Sequence, residues 1–403
     1  MTAPVEGRAS LAGGLIVAAV AWGLTTGGTS ALDLVVTICL LTGAWIACPR
    51  ATRPVGTLGS TGAAAVIATM LVLGVGHDGL GGDGIRVAVL TATALLVALV
   101  GTSLSRVDRL WVVDGLIALG TLHAAVAVAA FATSLVSESS SDLGTRISGL
   151  RASPNTLAAL LVATAAVTSW RASHPQSVRT SKAAAGPDRL WILLAIQCLG
   201  IVATGSRFGL LAVAGLLLWA ARRTTSRLWS VGLVSAGFVG VAVVAVALVA
   251  VPTARIELWS AALRRSFESP WTGLGTTSEP LVDHSAGVPA TSFAHNEILQ
   301  VAIEFGVPLT IGLVVVVTAF VRRHHSSMDR GLMVAAAAVV ASGMIDVTLR
   351  STPVLIVAAL CVGAATAPAR ARPDEVVNRR NLVVAGFHSR GTGCSGVLDA
   401  ERY

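Results

Sequence analysis

Apolar stretches of roughly spanning length recur along the whole chain, separated mostly by short polar breaks. They fall near residues 10–27, 30–48, 57–76, 86–104, 110–135 and 154–170, then near 190–205, 206–221, 228–251, 300–321, 331–348 and 352–369. A bilayer's hydrocarbon core of ~30 Å takes about 20 helical residues. The pattern therefore predicts an all-α, polytopic membrane helix bundle of about 12 transmembrane helices. The first run, about Ser10–Gly27, has no convincing cleavage site and is followed at once by another, so it is expected to be a span and not a cleaved signal. The seventh and eighth runs are short and meet at Gly205-Ser206-Arg207.

Two polar intervals are too long to be simple connections. Residues 136–153 and 252–299 both exceed the roughly 12–15 residues beyond which a loop is usually functional or disordered. The second contains Trp259, Phe267, Trp271 and Phe293, too many large apolar groups for a spacer. Ile256, Trp259, Leu263 and Phe267 stand at helical spacing and predict a surface helix over about 254–267. The expected organisation is five spans in 1–135, an outer loop at 136–153, spans six to nine in 154–251, a large outer loop at 252–299, three spans in 300–369 and a tail at 370–403.

Charge orients this arrangement. Arginine dominates the even-numbered connections, at Arg50 and Arg53, Arg106 and Arg109, 171–189, 222–227 and 322–330. The odd-numbered connections hold Asp78, Asp83, Glu138, Asp142, Glu257, Glu268, Glu279 and Asp283. The positive-inside rule then places both termini in the cytoplasm and the two long loops outside. The formal charge of +8, spread over short loops and a tail, suits membrane topology and not nucleic-acid binding. With 54% hydrophobic and 12% charged residues and a mean hydropathy of +0.77, the chain lies outside the range of soluble domains. Its five cysteines show no C-x-x-C spacing and are expected to be packing residues; no metal or cofactor is expected.

Arginines on the outer side depart from the rule and need a reason. Arg207 sits in A-T-G-S-R-F-G between two apolar runs, and a charge near hydrocarbon normally faces a cavity or a partner, with snorkelling to the interface as the alternative. Arg146 and Arg151 precede Ser153-Pro154-Asn155, which has the form of a helix start: a capping Ser or Asn with proline in the first turn. A helix N-terminus offers free N–H groups to anions, and guanidinium forks suit phosphate oxygens. Arg146, Arg151 and that helix end together describe a diphosphate site. Arg255, Arg264 and Arg265, on the expected surface helix, are placed to touch lipid phosphates.

The remaining polar cluster is T-S-F-A-H-N-E-I-L-Q, 291–300. R-x-x-G (Arg146, Gly149) followed by Pro154-Asn155, then Gly205-Ser206-Arg207, then Pro270-Trp271-Thr272-Gly273-Leu274-Gly275 and His295-Asn296, is an order that resembles the O-antigen ligase and polysaccharide polymerase superfamily. The segment after His295, ending in Gly306 and Pro308, resembles that family's amphipathic run. The resemblance covers about 140–320.

It implies a metal-independent, inverting glycosyltransferase of the cytoplasmic membrane, working at its outer face without a cofactor. The donor would be a glycan on undecaprenyl diphosphate and the acceptor a hydroxyl of a glycan, lipid or protein. By the same resemblance His295 is the general base, and Arg146 and Arg207, with Arg151 nearby, hold the diphosphate. Asn155, Ser206, Asn296 and Glu297 are supporting residues. Imidazole suits proton abstraction near neutral pH, a contribution of typically ~10²–10⁴-fold, and arginines stabilise the departing diphosphate.

Other readings stand beside these. Asn296 is open to either helix capping or sugar binding, and Glu297 to orienting His295 or taking a proton itself. His284 is the rival base, and His295 itself is open to being a solvated loop histidine. Asp346 and Arg350 stand at ion-pair spacing. Among functions, a repeat-unit polymerase of the same superfamily and a lipid-linked sugar flippase are the alternatives. A flippase would place polarity at mid-membrane on broken helices, whereas here it gathers in the outer loops.

Overall fold

The computed structural model describes residues 83–104, 106–136, 153–173, 187–221, 254–275, 294–324, 330–343 and 351–366, with single positions near 14–19, 39–40, 70–72 and at 281. Contacts divide the chain into Met1–Ala367 and Pro368–Tyr403, and every described residue lies in the first unit. The ninth expected span, near 228–251, and the tail lie outside the described residues. So do most of the first three spans and of the loop at 136–153.

The described chain is all helix but for turns and caps. In order the helices are α1 (Asp83–Ser103), α2 (Arg106–Val136), α3 (Pro154–Ser173), α4 (Pro187–Ala203), α5 (Arg207–Ala221), α6 (Ala254–Ser266), α7 (Glu297–Phe305), α8 (Val307–His324), α9 (Arg330–Gly343) and α10 (Thr352–Thr366). No strand occurs among the described residues. One helix among them, over Arg109–Ser134 with mean hydropathy 1.9, is long and apolar enough to cross a membrane. Shorter apolar helices include Val87–Thr102, Arg189–Ala203, Val307–Ala319 and Val354–Thr366.

Local chemistry sets the boundaries. Ser153 accepts a hydrogen bond at Oγ from the Thr156 amide (3.2 Å) and so caps α3, with Pro154 at the first helical position, where its missing N–H is no loss. Gly205, at φ 62°, ends the turn after α4. Ser206, buried, caps α5 by accepting from the Gly209 amide at 3.3 Å. The junction of the seventh and eighth apolar runs is thus three residues, Thr204 to Ser206, between two helices. The run expected near 300–321 is likewise two helices, because Gly306 interrupts it at φ 86°.

Small residues bring the helices together. A Cβ on Gly363 of α10 would collide with the Ala98 carbonyl of α1, one on Gly120 of α2 with Thr164 of α3, and one on Gly200 of α4 with Ala124 of α2. Small residues at these crossings let the helix backbones approach closely. Gln197, fully buried on α4, holds three helices: it accepts from Thr168 Oγ1 (2.9 Å) and donates to the Ile117 carbonyl and Thr121 Oγ1 (3.2 Å each). The pairs Asp114–Arg171 (3.5 Å) and Gly120–Thr164 show that α2 and α3 run antiparallel. Arg171 was expected in a cytoplasmic loop; it is the buried last turn of α3, tied to α2.

Candidate functional site

The helix expected over about 254–267 forms as α6, but the stripe read from the sequence is not its buried face. Leu258, Ala262 and Ser266, spaced by four, point inward, while Leu263 and Phe267 are exposed. Ala262 packs with Ala294 and Ile303, backed by Leu274, Leu281 and Leu299. Small residues on the inner face let α6 lie close to the chain on either side of His295. The Trp259 indole N–H is buried with no hydrogen-bond partner.

The chain after α6 turns through Pro270-Trp271-Thr272-Gly273-Leu274-Gly275 and docks on the far end of α7. A helix C-terminus leaves its last carbonyls without partners, and this loop supplies them. Leu274 N donates to the Ile303 carbonyl (2.7 Å) and Gly275 N to the Glu304 carbonyl (3.1 Å), while Val307 N donates back to the Pro270 carbonyl (2.8 Å). The fit needs glycine. Gly273 is at φ 76°, and a Cβ on it would overlap the Glu304 backbone; a Cβ on Gly306 would meet the Trp271 carbonyl. Phe305, almost fully buried, fastens the other side through Met70 and Ala88, with Val87 of α1 beside them.

His295 stands at the opposite, N-terminal end of α7. It is half-buried, and at φ 49° it is the only non-glycine residue with positive φ among the described residues. That conformation costs an L-residue roughly 1–2 kcal/mol, though histidine, like asparagine, enters it more readily than most. Both neighbours are held. The Ala294 amide donates to Gln300 Oε1 at 2.7 Å. Asn296 caps α7, its Oδ1 accepting from the amides of Ile298 (3.0 Å) and Leu299 (3.2 Å). Of the two roles open to Asn296, the geometry supplies the cap. Gln300 passes the connection on, its Nε2 donating to Oε1 of Glu304 at 2.7 Å, and Glu304 is only 1% exposed. Glu297 is buried in the first turn of α7, where a carboxylate complements the helix dipole.

The expected diphosphate residues are described unevenly. Arg146, Arg151 and the rival base His284 lie outside the described residues, as do Asp346 and Arg350. Arg207 begins α5, but its side chain is not described. The backbone around it is informative. A Cβ on Gly209 would touch Ala158 and Ile201, so the first turn of α5 lies against the first turns of α3. Arg207 therefore starts its helix beside the end of α3 that Ser153 caps and Asn155 enters.

Gln300 and Glu304 were not singled out in the sequence. Their i,i+4 spacing on an otherwise apolar helix is the feature that marks them. Among the described residues no group of three or more His, Cys, Asp or Glu side chains could hold a metal ion. No protein-family model matches the chain, and no curated protein matches it.

Gln300→Leu should leave the Ala294 amide without its acceptor and strip a donor from Glu304. Each buried polar group left unsatisfied costs about 1–3 kcal/mol. The expected result is faster hydrogen exchange over 294–305, and exchange as slow as in the unmodified protein would show that Gln300 does not hold the loop.

Proposed function

We propose that this protein is a multi-pass glycosyltransferase of the cytoplasmic membrane that moves a glycan from an undecaprenyl diphosphate carrier to an acceptor hydroxyl at the outer face. His295 takes the proton of the attacking hydroxyl as its oxygen bonds to the anomeric carbon. The bond from that carbon to the diphosphate breaks, and the carrier diphosphate leaves with the electron pair. Arg207, Arg146 and Arg151 hold the departing charge, and the positive end of the α3 dipole favours it there. The twelve spans, both termini in the cytoplasm and an outer site belong to this reading.

The observation that carries it is the backbone of His295. A left-handed histidine, fixed through Gln300 on one side and Asn296 on the other, is pre-set in direction, as a general base must be. A second feature agrees. The short link between α1 and α2 favours antiparallel neighbours. On that geometry the start of α1, where Phe305 packs, lies toward the same end of the bundle as the starts of α3 and α5. The histidine loop and the Arg207 turn would then share a leaflet.

The test is mass spectrometry of the host's cell-surface glycan after deletion of the gene and complementation. The wild-type gene should restore one class of glycan and Arg207→Ala should not. A ladder of repeat lengths would mark a polymerase, and a single transfer onto a fixed acceptor a ligase. An unchanged glycan profile on deletion would refute the proposal.

A further inference from the structure

We infer that Leu263, Phe267 and Trp271 form a ridge that seats α6 and its following loop in the boundary between headgroups and acyl chains of the outer leaflet; this rests on the membrane reading above. The three side chains recur at intervals of four residues and are 50%, 64% and 79% exposed. They are not needed for internal packing, because α6 uses Leu258, Ala262 and Ser266 on its other side. Leu263 stands near the end of α6, Phe267 directly after it and Trp271 in the following loop, and large apolar groups exposed at the end of a helix whose other face is already packed suit an interfacial segment.

Charge and continuity select lipid as the occupant. Arg264, exposed, adjoins the ridge, and Arg265 follows it, paired to Glu268 at 2.9 Å. Arginine beside large apolar groups matches phosphate above hydrocarbon. The ridge also leads into α8, since Val307 N donates to the carbonyl of Pro270, the residue before Trp271. From Val307 to Ala319 that helix carries no charged residue, and Ile311, Val314, Val315 and Val317 are exposed along it. Trp271 thus stands at the head of an apolar helix surface, the position of the aromatic belt in membrane proteins. A protein partner covering the ridge would leave the adjoining α8 surface unexplained, whereas a bilayer covers both. Because Ala262 packs with Ala294, the depth of the ridge sets the height of His295 above the hydrocarbon.

The test uses the full chain with its five native cysteines replaced by alanine, reconstituted in phosphatidylethanolamine–phosphatidylglycerol vesicles. A nitroxide is attached at Phe267→Cys, at Leu263→Cys as a second ridge variant, and at Val315→Cys on α8. Collision with oxygen and with a water-soluble nickel chelate is then measured. The expected result is that both ridge labels meet oxygen more than nickel, at a depth shallower than position 315. Ridge labels open to nickel, with position 315 still in lipid, would overturn the ridge and leave the membrane reading standing. Nickel access at all three positions would overturn both. Ridge labels that are immobile and shielded from both reagents would mean a protein cover, against the inference.

Discussion

Replacing His295 with alanine is expected to lower glycan transfer by about 10²–10⁴-fold, the usual worth of a positioned general base, with the protein still inserted and folded. Alanine changes two things at once, because it removes the imidazole and also disfavours the left-handed backbone that His295 adopts. His295→Asn separates them. Asparagine enters the left-handed region readily but offers no base of comparable strength. If the imidazole carries the reaction, asparagine should be as inactive as alanine while leaving the hydrogen exchange of 294–305 at the wild-type rate. If the loop shape alone matters, asparagine should restore most of the activity. Turnover measured on both variants, beside their exchange rates, decides between these outcomes.

The second large effect is expected at Gly273. Valine there would drive a branched side chain into the Glu304 backbone and would hold φ near 76°, which β-branched residues resist. The left-handed backbone alone costs roughly 1–2 kcal/mol. Displacing the loop also frees the Ile303 and Glu304 carbonyls, which lose the amides of Leu274 and Gly275. At about 0.5–1.5 kcal/mol for each hydrogen bond, the sum reaches several kcal/mol. Transfer should fall with it, although no proposed catalytic group has been touched, because the loop clamps the helix that carries His295. Gly312→Ala on α8 is the control. A Cβ there meets nothing within 4 Å, and alanine for glycine in a helix interior gains up to about 1 kcal/mol. Thermal midpoints of the two purified variants should therefore move in opposite directions. An unchanged midpoint for Gly273→Val would mean that the loop does not hold α7.

Helical periodicity was legible wherever an element could be read from one stretch of chain. The capped start at Ser153-Pro154-Asn155 and the helix over about 254–267 appear where the sequence puts them, as does the break before Arg207, because each depends on neighbours within a few residues. The split of the 300–321 run at Gly306 was hidden by its hydrophobicity. Only the docking of Trp271 against Gly306 shows why the helix stops there. The buried face of α6 was not legible either. An amphipathic stripe shows that two faces differ, not which one meets protein, and here Leu258, Ala262 and Ser266 took the inside. Gln300 is the clearest omission at the site, since its importance comes from reaching the Ala294 amide across the Asn296 cap, a contact no linear pattern displays. The reverse holds for Arg207, whose polar break in an apolar run was plain in the sequence. What it faces depends on packing between α3 and α5.

The most direct measurement uses the purified full-length protein in lipid nanodiscs, supplied with lipid-linked glycan extracted from its host together with membrane acceptors, and followed by mass spectrometry of both products. The expected result is one undecaprenyl diphosphate released for each glycan transferred by the wild-type protein, and none above background for His295→Asn. Release at the wild-type rate by His295→Asn, or no release at all by the wild-type protein, would contradict the account.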